Sequence, residues 1–287
     1  MRFVMLGNAT KPQVREEAAR LREELPKFGE LVLVDLEQTH NLATVQADVA
    51  FVLGGDGAIL RAVRQMAHHQ IPVLGINLGR LGFLADVAVD EISTILPSIA
   101  RGEFRITQHL MFECRVSMPD GFHSHLVLND VVVRSGPPFH MINLEVAAND
   151  ETVMRFLGDG LILSTPIGST AHSLSAGGPI LGQEMAAIVV TPISPHTLTT
   201  RPLVESADKV FRIQTHQSDG AWLSLDGQEH FPLLRDQYIE VRRASVQFMR
   251  VNVPGKNYYR TLREKLRWGT PPQYRTELSP PAERISE

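Results

Sequence analysis

The sequence lacks disulfide-forming cysteines and an excess of basic charge. Cys114 is the single cysteine among 287 residues, so no intramolecular disulfide bond can form. A chain without disulfides suits a reducing compartment, and we predict a cytoplasmic protein. The 28 Lys and Arg residues are outnumbered by 32 Asp and Glu, and the formal net charge is −4. This composition provides no basic field for nucleic acid or an anionic membrane, and neither partner is expected.

A long hydrophobic segment is also absent. Residues 161–183 carry no Asp, Glu, Lys or Arg, but they are rich in Ser, Thr, Gly and Pro and would span a membrane poorly. The apolar run at the N-terminus, Met1–Asn8, is too short for a signal-peptide core. We therefore predict no transmembrane segment and a globular protein, as 43% apolar and 21% charged residues also indicate.

Three common catalytic or nucleotide-binding motifs are missing. No Gly-x-Gly-x-x-Gly occurs, and the Gly255-Lys256 pair lacks the upstream glycine and the downstream Ser or Thr of a P-loop. No Gly-x-Ser-x-Gly elbow of an α/β-hydrolase occurs either. These absences disfavour standard dehydrogenases, P-loop NTPases and α/β-hydrolases.

The first hundred residues alternate short apolar runs with helical patterns, which is typical of βαβ units around a parallel sheet. One predicted helix covers residues 59–67, and the apolar face of an earlier one consists of Val14, Ala18, Leu21 and Leu25. The strands are unalternated apolar runs, which indicate burial on both faces of the sheet. They are predicted at residues 2–6, 31–34, 49–53 and 72–76.

Beyond residue 101 the pattern alternates, which predicts a β-rich and mostly antiparallel domain. Its strands are predicted at residues 111–118, 126–133, 141–147, 210–213, 221–225 and 238–242. Helical periodicity returns at residues 257–268, and this helix can pack back on the first domain. The chain is therefore divided into an α/β domain (1–100 and 255–269), a β-rich domain (101–254) and a tail (270–287) expected to be disordered.

A glycine-rich turn, Gly54-Gly-Asp-Gly57, follows a buried strand and precedes a helix. Open α/β sheets bind their ligands at the carboxyl ends of parallel strands, so this is a suitable place for a site. Glycines allow close approach of a ligand, and the helix N-terminus presents free N–H groups to phosphate. Asp56 is a potential base, and the alternative is an ordinary helix N-cap. A second glycine-rich loop, Gly75–Gly82, is expected at the same sheet edge.

The most unusual segment is Asp159–Ile180, which contains Ser-Thr-Pro-Ile-Gly-Ser-Thr-Ala. Between Gly160 and Thr200, Glu184 is the only formally charged residue, whereas hydroxyls and glycines abound. This composition favours an uncharged, hydrogen-bonding surface around a polar ligand, and the alternative is a Ser/Thr-rich loop. The Asn129-Asp130 pair is a further candidate, although such a pair is more often a turn at a strand edge than a site.

In their order and spacing, five segments resemble the ATP-NAD kinase family of bacteria. They are Gly54–Gly57, residues 75–84, Asn129-Asp130, Asp159–Ile180 and residues 195–204. Residues 257–269 are similar to the family's closing helix, so the resemblance spans nearly the whole chain. Diacylglycerol, sphingosine and phosphofructokinase-type kinases share the Gly-Gly-Asp-Gly turn, and the long hydroxyl-rich segment is what discriminates.

The resemblance implies an α/β, Rossmann-like N-terminal domain with a parallel sheet, a sandwich-like C-terminal domain, and a dinucleotide between them. It implies that the protein phosphorylates the 2′-hydroxyl of the adenosine ribose of NAD with Mg-ATP, giving NADP and ADP. Mg²⁺ or another divalent metal would be carried with ATP, with no metal site expected from the protein alone. A homodimer or homotetramer is also implied.

The resemblance further implies roles for particular residues. Asp56 corresponds to the general base for the ribose 2′-hydroxyl. Asn129 and Asp130 correspond to an Asn-Glu pair that contacts ribose, and Asp159 corresponds to a carboxylate near the nicotinamide end. Other positions that correspond to nucleotide contacts are Gly55, Gly57, Arg61, His140, Leu157, Thr170, Ala171, His172, Ser173, Leu174, Ser175 and Gln228.

Four positions depart from the family pattern. Asp130 is one methylene shorter than the usual Glu, and His172 replaces a Tyr. Ile167 replaces a polar Thr or Ser, and Leu157 stands where relatives often have Arg or Lys. Two alternatives stay open: a diacylglycerol-type lipid kinase that shares the glycine turn, and a sensor that binds NAD without turnover.

Overall fold

The computed structural model describes residues 1–79, 81–118, 120–197, 199–216, 220–235 and 237–269. The tail predicted at residues 270–287 lies outside these residues. The N-terminal helices are α1 (Pro12–Glu24), α2 (Asp56–Met66) and α3 (Ile92–Ala100). The N-terminal strands are β1 (Arg2–Leu6), β2 (Glu30–Asp35), β3 (Val49–Leu53), β4 (Val73–Asn77) and β5 (Val87–Ala88).

The N-terminal strands pair in parallel in the order β5-β4-β3-β1-β2, which confirms the predicted α/β architecture. Every residue of β3 and β4 is buried, as expected for a sheet covered by helices on both faces. The predicted apolar face of α1 is also buried, and Pro12 begins that helix. This sheet presents the carboxyl ends of β3 and β4 side by side.

The described residues of the β-rich half form twelve further strands. They are β6 (Arg105–Met118), β7 (Gly121–Val127), β8 (Asp130–Ser135), β9 (Ile142–Ala148), β10 (Glu151–Gly158), β11 (Gly160–Ser164), β12 (Ala187–Ile193), β13 (Leu203–Ser206), β14 (Phe211–His216), β15 (Ala221–Leu225), β16 (Glu229–Leu233) and β17 (Tyr238–Asn252). Six of them form an antiparallel sheet in the order β13-β12-β11-β8-β15-β16. The side chains between this sheet and the antiparallel part of the other sheet form one hydrophobic core, so the half is a β-sandwich.

The other sheet has eleven strands and joins the two halves. Strand β17 pairs antiparallel with β6 and β14, and it meets β4 in parallel where Arg250 lies opposite Val73. A second core cluster combines residues of α2 and the parallel strands with Leu128, Ile167 and Phe248 of the β-rich half. The two halves therefore pack against each other through side chains as well as through a shared sheet.

The single strand predicted at residues 126–133 is two strands. Val127 ends β7 in the eleven-stranded sheet, and Asp130 begins β8 in the six-stranded sheet. The chain crosses between the two sheets at Leu128 and Asn129. The cause is a distant carboxylate, that of Asp226, which binds the backbone at this crossing.

The last helix, α5 (Tyr258–Leu266), returns to the N-terminal half as predicted. Lys256, just before it, forms an ion pair with Glu91 at 2.5 Å, and the hydroxyl of Tyr258 donates to the carbonyl of Leu181 at 3.1 Å. Within the described ranges, no helix has both the length and the apolar character needed to cross a membrane.

Candidate active site

The Gly54–Gly57 turn joins β3 to α2 at the carboxyl edge of the parallel sheet. Gly54 has a φ of +135°, a conformation that L side chains rarely adopt. A Cβ atom at Gly55 or Gly57 would meet nothing within 4 Å, so there is open space beside the turn. Asp56 is the first residue of α2, where the N–H groups of the first turn have no intrahelical partners.

The carboxylate of Asp56 binds the second glycine-rich loop. Its Oδ2 atom accepts from the N–H of Phe83 at 2.9 Å, and its Oδ1 atom accepts from the N–H groups of Leu84 and Ala85, each at 3.0 Å. A Cβ atom at Gly82 would lie 2.0 Å from Oδ1, so only glycine permits this approach. The two loops thus meet at one sheet edge, as predicted, and 26% of the Asp56 side chain stays exposed.

The Asn129-Asp130 pair is positioned by Asp226, a residue that the sequence did not single out as part of a site. The buried carboxylate of Asp226 accepts from the N–H groups of Leu128 (3.0 Å), Asn129 (2.7 Å) and Asp130 (3.2 Å). Burial raises the pKa of Asp226, and these three bonds oppose that rise. The Asn129 Oδ1 atom is buried and has no hydrogen-bond partner, which leaves an acceptor available beside the pair.

Asp130 is a buried carboxyl group beside a second one. Its side chain is 4% exposed, and burial followed by the charge of Asp226 raises its pKa to about 7. A hydrogen bond from the backbone N–H of His172 acts in the opposite direction. The group is therefore poised to exchange a proton near neutral pH, unlike an exposed Asp.

Replacing Asp130 with asparagine is expected to stabilise the protein more at pH 8 than at pH 5. The pKa of Asp130 is about 7 in the folded protein, above its ordinary value of 3.8. Protonation of Asp130 therefore stabilises the folded protein fully below pH 4, and this stabilisation is lost as the pH rises through 7. Asparagine does not titrate, so the unfolding free energy of the variant relative to wild type should rise by about 3 kcal/mol from pH 5 to pH 8. Urea denaturation at the two pH values measures it.

The control for this substitution is Asp90→Asn, at an exposed position. Its effect on the unfolding free energy should be small at both pH values. A difference between Asp130→Asn and wild type that does not change with pH would contradict the raised pKa of Asp130.

Most hydroxyls of the Ser/Thr-rich segment bind the protein's own backbone. Ser164, Thr165, Ser169 and Ser173 are fully buried. The hydroxyl of Thr165 donates to the carbonyl of Leu128 at 2.6 Å, and that of Ser169 donates to the carbonyl of Pro166 at 2.6 Å. These hydroxyls hold the segment against the Asn129 crossing. The sequence analysis instead expected the hydroxyls of this segment to form hydrogen bonds with a ligand.

One departure from the family pattern, Ile167, has a structural explanation. Ile167 is 3% exposed and lies in the core cluster that contains Ile59 and Leu84, where a polar residue would lose this burial. A Cβ atom at the neighbouring Gly168 would lie 2.0 Å from the Asn129 carbonyl oxygen, so this glycine permits the close contact.

The segment predicted to line the dinucleotide, residues 170–175, contains the short helix α4 (His172–Ser175). His172 and Ser175 are exposed, while the Ser173 hydroxyl is 2.9 Å from that of Thr191 in the interior. Partial burial and the charge of Arg134 lower the pKa of His172, so its imidazole is neutral at pH 7. Contacts of these residues with a nucleotide stay predictions.

The turn between β15 and β16 connects the two halves of the site. Gln228 donates from Nε2 to the carbonyl of Gly57 at 2.9 Å, two residues beyond Asp226. Arg64 of α2 forms an ion pair with Glu229 at 3.2 Å. The structure therefore brings the Asp56 turn and the Asn129-Asp130 crossing together. Arg61 is exposed on α2, one turn after Gly57.

A groove runs from this point along the outer face of the six-stranded sheet. Its first part, about 300 Å³, is lined among others by Asn129, Asp130 and His172. Its second part, about 330 Å³, includes Phe139 and Trp222. Arg134 and His230 line both parts. Sequence reasoning missed Arg134, although its spacing of four residues from Asp130 on one strand places both on the same face.

Three predicted residues, Asp159, His140 and Leu157, are not among those that line this groove. The N–H of Ser135 donates to the carbonyl of Asp159 at 2.8 Å, and His140 is exposed in the loop that follows β8. Strand β11 separates Asp159 from Ser164 by five residues, or about 17 Å. Leu157, on the edge strand β10, is 39% exposed. These residues are therefore not brought next to Asp56 within one chain.

The described residues contain no group of three or more His, Cys, Asp or Glu side chains arranged to hold a metal ion. The carboxylates at the site are bound by backbone N–H groups, as shown for Asp56 and Asp226. This donor set does not fit a metal cage made by the protein alone.

Comparisons with known proteins agree over both halves. Residues 7–104 match a family model described as the ATP-NAD kinase N-terminal domain, and residues 128–253 match the ATP-NAD kinase C-terminal domain. The chain is 43% identical to an NAD kinase from Rhodopirellula baltica over 93% of this chain and 86% of that one. It is 41% identical to an NAD kinase from Heliobacterium modesticaldum over 91% and 97%.

Two solved structures are similar in fold. One is yeast NADH kinase complexed with NADH, with a TM-score of 0.83 and 25% identity over 96% of this chain and 90% of that one. The other is an NAD kinase from Archaeoglobus fulgidus in complex with ATP, with a TM-score of 0.76 and 26% identity over 93% and 99%. The likeness extends across the α/β half, the sandwich and the junction that holds Asp56.

Proposed function

The chain belongs to the ATP-NAD kinase family, and we propose from this premise that it is an enzyme that phosphorylates NAD with ATP. The product is NADP, formed on the 2′-hydroxyl of the adenosine ribose, and ADP leaves. The proposal depends on one combined observation. Both halves of the chain match the family's domains, and the fold brings Asp56 and the Asn129-Asp130 crossing together. The hydrogen-bonding groups here suit a ribose better than a lipid acceptor.

Phosphoryl transfer requires positioning and charge stabilisation more than covalent help from the protein. In the proposed mechanism, Asp56 accepts the proton of the 2′-hydroxyl as that oxygen attacks the γ-phosphorus, and the bond from phosphorus to the ADP oxygen breaks. The free N–H groups at the start of α2 stabilise the anionic phosphoryl group. Phe83, Leu84 and Ala85 orient the base through their N–H groups.

The dinucleotide is proposed to occupy the groove that starts at Asn129 and Asp130. The unpartnered Oδ1 atom of Asn129 can accept from a ribose hydroxyl, and the neutral ring of His172 can stack on a base. Arg134, in the middle of the groove, is suited to the diphosphate. The other predicted contacts at residues 170–175, Gly55, Gly57, Arg61 and Gln228 remain part of this proposal.

A divalent metal, Mg²⁺ or another, is proposed to arrive with ATP, as the family resemblance implies. When bound to ATP, it neutralises charge on the β- and γ-phosphates. Residues 1–100 and 255–269 are proposed to serve as the nucleotide-turn domain and residues 101–254 as the dinucleotide domain. A cytoplasmic location is part of the same proposal.

A homodimer or homotetramer is also proposed. Exposed apolar side chains lie on the edge strand β10, at Val153 and Leu157, and in the loop before β9, at Phe139 and Met141. Such a surface on a sheet edge favours contact with another copy of the chain. It adjoins His140 and Asp159, so a second copy could bring those residues to a dinucleotide bound at Asp56.

The test is to incubate the purified protein with NAD, Mg²⁺ and ATP, with polyphosphate replacing ATP in a parallel tube. An NADP-specific dehydrogenase cycling assay detects the product. NADP with ATP supports the proposed kinase, and the second tube decides whether polyphosphate serves as donor. NAD binding by calorimetry without any NADP would favour the sensor instead, and phosphorylation of diacylglycerol would favour the lipid kinase.

A further inference from the structure

The C-terminal helix carries a lysine to the proposed catalytic carboxylate. Lys265 of α5 places its Nζ atom 3.6 Å from Oδ2 of Asp56. The same Nζ atom lies 4.4 Å from the centre of the Phe83 ring, and the N–H of Phe83 donates to that Oδ2 atom. Among the described residues, Lys265 is the only cation within 4 Å of Asp56.

The position of Lys265 follows from how α5 is anchored. The Asn257 side chain caps the helix by accepting from the N–H of Tyr259 at 2.8 Å. Thr261 and Leu262 are buried, and Lys265 lies one turn after Thr261 on the same face. The buried turn fixes the stem of Lys265 toward Asp56, while 35% of its side chain remains accessible to a ligand.

The pair is not explained by stability alone. A partly exposed ion pair contributes little to folding, because solvent screens it and ordering two side chains costs entropy. Lys265 is therefore expected to have a second partner during the reaction.

The geometry of phosphoryl transfer provides that partner. A hydroxyl that gives its proton to Asp56 lies about 3 Å from the carboxylate, and the phosphorus that it attacks lies about 3 Å further on. The transferring group therefore lies within about 6 Å of Asp56, in reach of a lysine whose four-carbon stem is flexible. A lysine ammonium is a common ligand of phosphate.

We propose that Lys265 binds the phosphoryl group of ATP during its transfer to the hydroxyl held by Asp56. This inference rests on the proposed function. It assigns to the C-terminal helix a catalytic role in addition to its packing role.

Lys265→Met tests the inference, because methionine keeps an unbranched stem on Phe83 and removes the charge. We expect kcat/KM for ATP to fall by at least tenfold, through kcat or through KM for ATP, while the Kd for NAD measured by calorimetry stays within about twofold. Lys265→Arg should recover part of the loss. The control is Arg263→Met, which removes an exposed cation from the same helix and should behave as wild type.

Three outcomes would overturn the inference. The first is a Lys265→Met enzyme with the kinetic constants of wild type, and the second is an equal loss in Arg263→Met. The third is a loss that accompanies lower thermal stability and weaker NAD binding, since it would indicate a structural role. The proposed function fails on a different result, namely no NADP from the wild-type protein.

Discussion

The Asp56→Asn variant is expected to form NADP with a kcat reduced by a hundredfold or more, while its Kd for NAD stays within about threefold of wild type. Asparagine cannot accept the proton of the 2′-hydroxyl, so the loss should appear in kcat and not in binding. Single-turnover kinetics with ATP, together with calorimetric titration of NAD, measure the two effects separately.

The same experiment distinguishes two roles of Asp56, because its carboxylate also anchors the loop at residues 83–85. Asparagine keeps an oxygen for the N–H groups of Leu84 and Ala85, but its amide nitrogen would face the N–H of Phe83. A loss of both turnover and NAD binding would therefore identify Asp56 as a loop anchor. Unchanged turnover would exclude it as the base.

Gly82→Ala serves as the matched comparison. It leaves the Asp56 side chain unaltered but places a methyl group 2.0 Å from Oδ1 in the present geometry, so the loop and the carboxylate must separate. We expect lower thermal stability for Gly82→Ala than for Asp56→Asn. If Asp56 acts only as the base, Asp56→Asn should lower kcat without the loss of thermal stability expected for Gly82→Ala.

The α/β half could be predicted from local pattern because its strands are buried on both faces. The strand predicted at residues 49–53 coincides with β3, and the helix predicted at residues 59–67 overlaps α2. Both elements are specified by apolar runs and spacings within a few residues of each other. The glycine turn between them follows directly, and this is why Asp56 could be singled out before the structure.

The rest of the site depends on contacts between residues far apart in the chain. The crossing at Leu128 requires Asp226, which is 98 residues away, so the alternating pattern alone predicted one strand where there are two. Composition identified the hydroxyl-rich segment but did not distinguish a hydroxyl bound to backbone, such as that of Thr165, from one facing a ligand. Lys265 reaches Asp56 from a helix 209 positions later, which no local pattern encodes.

Removing the Asp226 carboxylate is expected to cause the largest loss of stability. Asp226→Ala leaves three backbone N–H groups at residues 128–130 without their acceptor in the interior. Each unsatisfied buried donor costs about 1 to 3 kcal/mol, so the unfolding free energy should fall by about 3 kcal/mol or more, a large part of the usual total. Urea denaturation followed by tryptophan fluorescence measures it.

Asp226→Asn and Asp120→Ala complete the comparison. Asparagine keeps an oxygen for Asn129 and Asp130 and loses only the bond from Leu128, so its cost should be intermediate. Asp120 is 72% exposed, and its replacement should change the unfolding free energy by less than about 1 kcal/mol. A loss in Asp226→Ala as small as that of Asp120→Ala would contradict the role of Asp226 in fixing the crossing.

The Asp226→Asn substitution has a second expected effect, which is on the pKa of Asp130. The charge of Asp226 is one cause of the raised pKa of Asp130, so neutralising Asp226 should bring that pKa down from about 7. Asp130 would then be ionised at lower pH, and the change in stability between pH 5 and pH 8 would become smaller in Asp226→Asn than in wild type. Asp226→Asn also removes the titration of Asp226 itself, so Asp130 is isolated by comparing Asp130→Asn in the wild-type and Asp226→Asn backgrounds. The same pH-dependent difference in both backgrounds would mean that burial alone sets the pKa of Asp130.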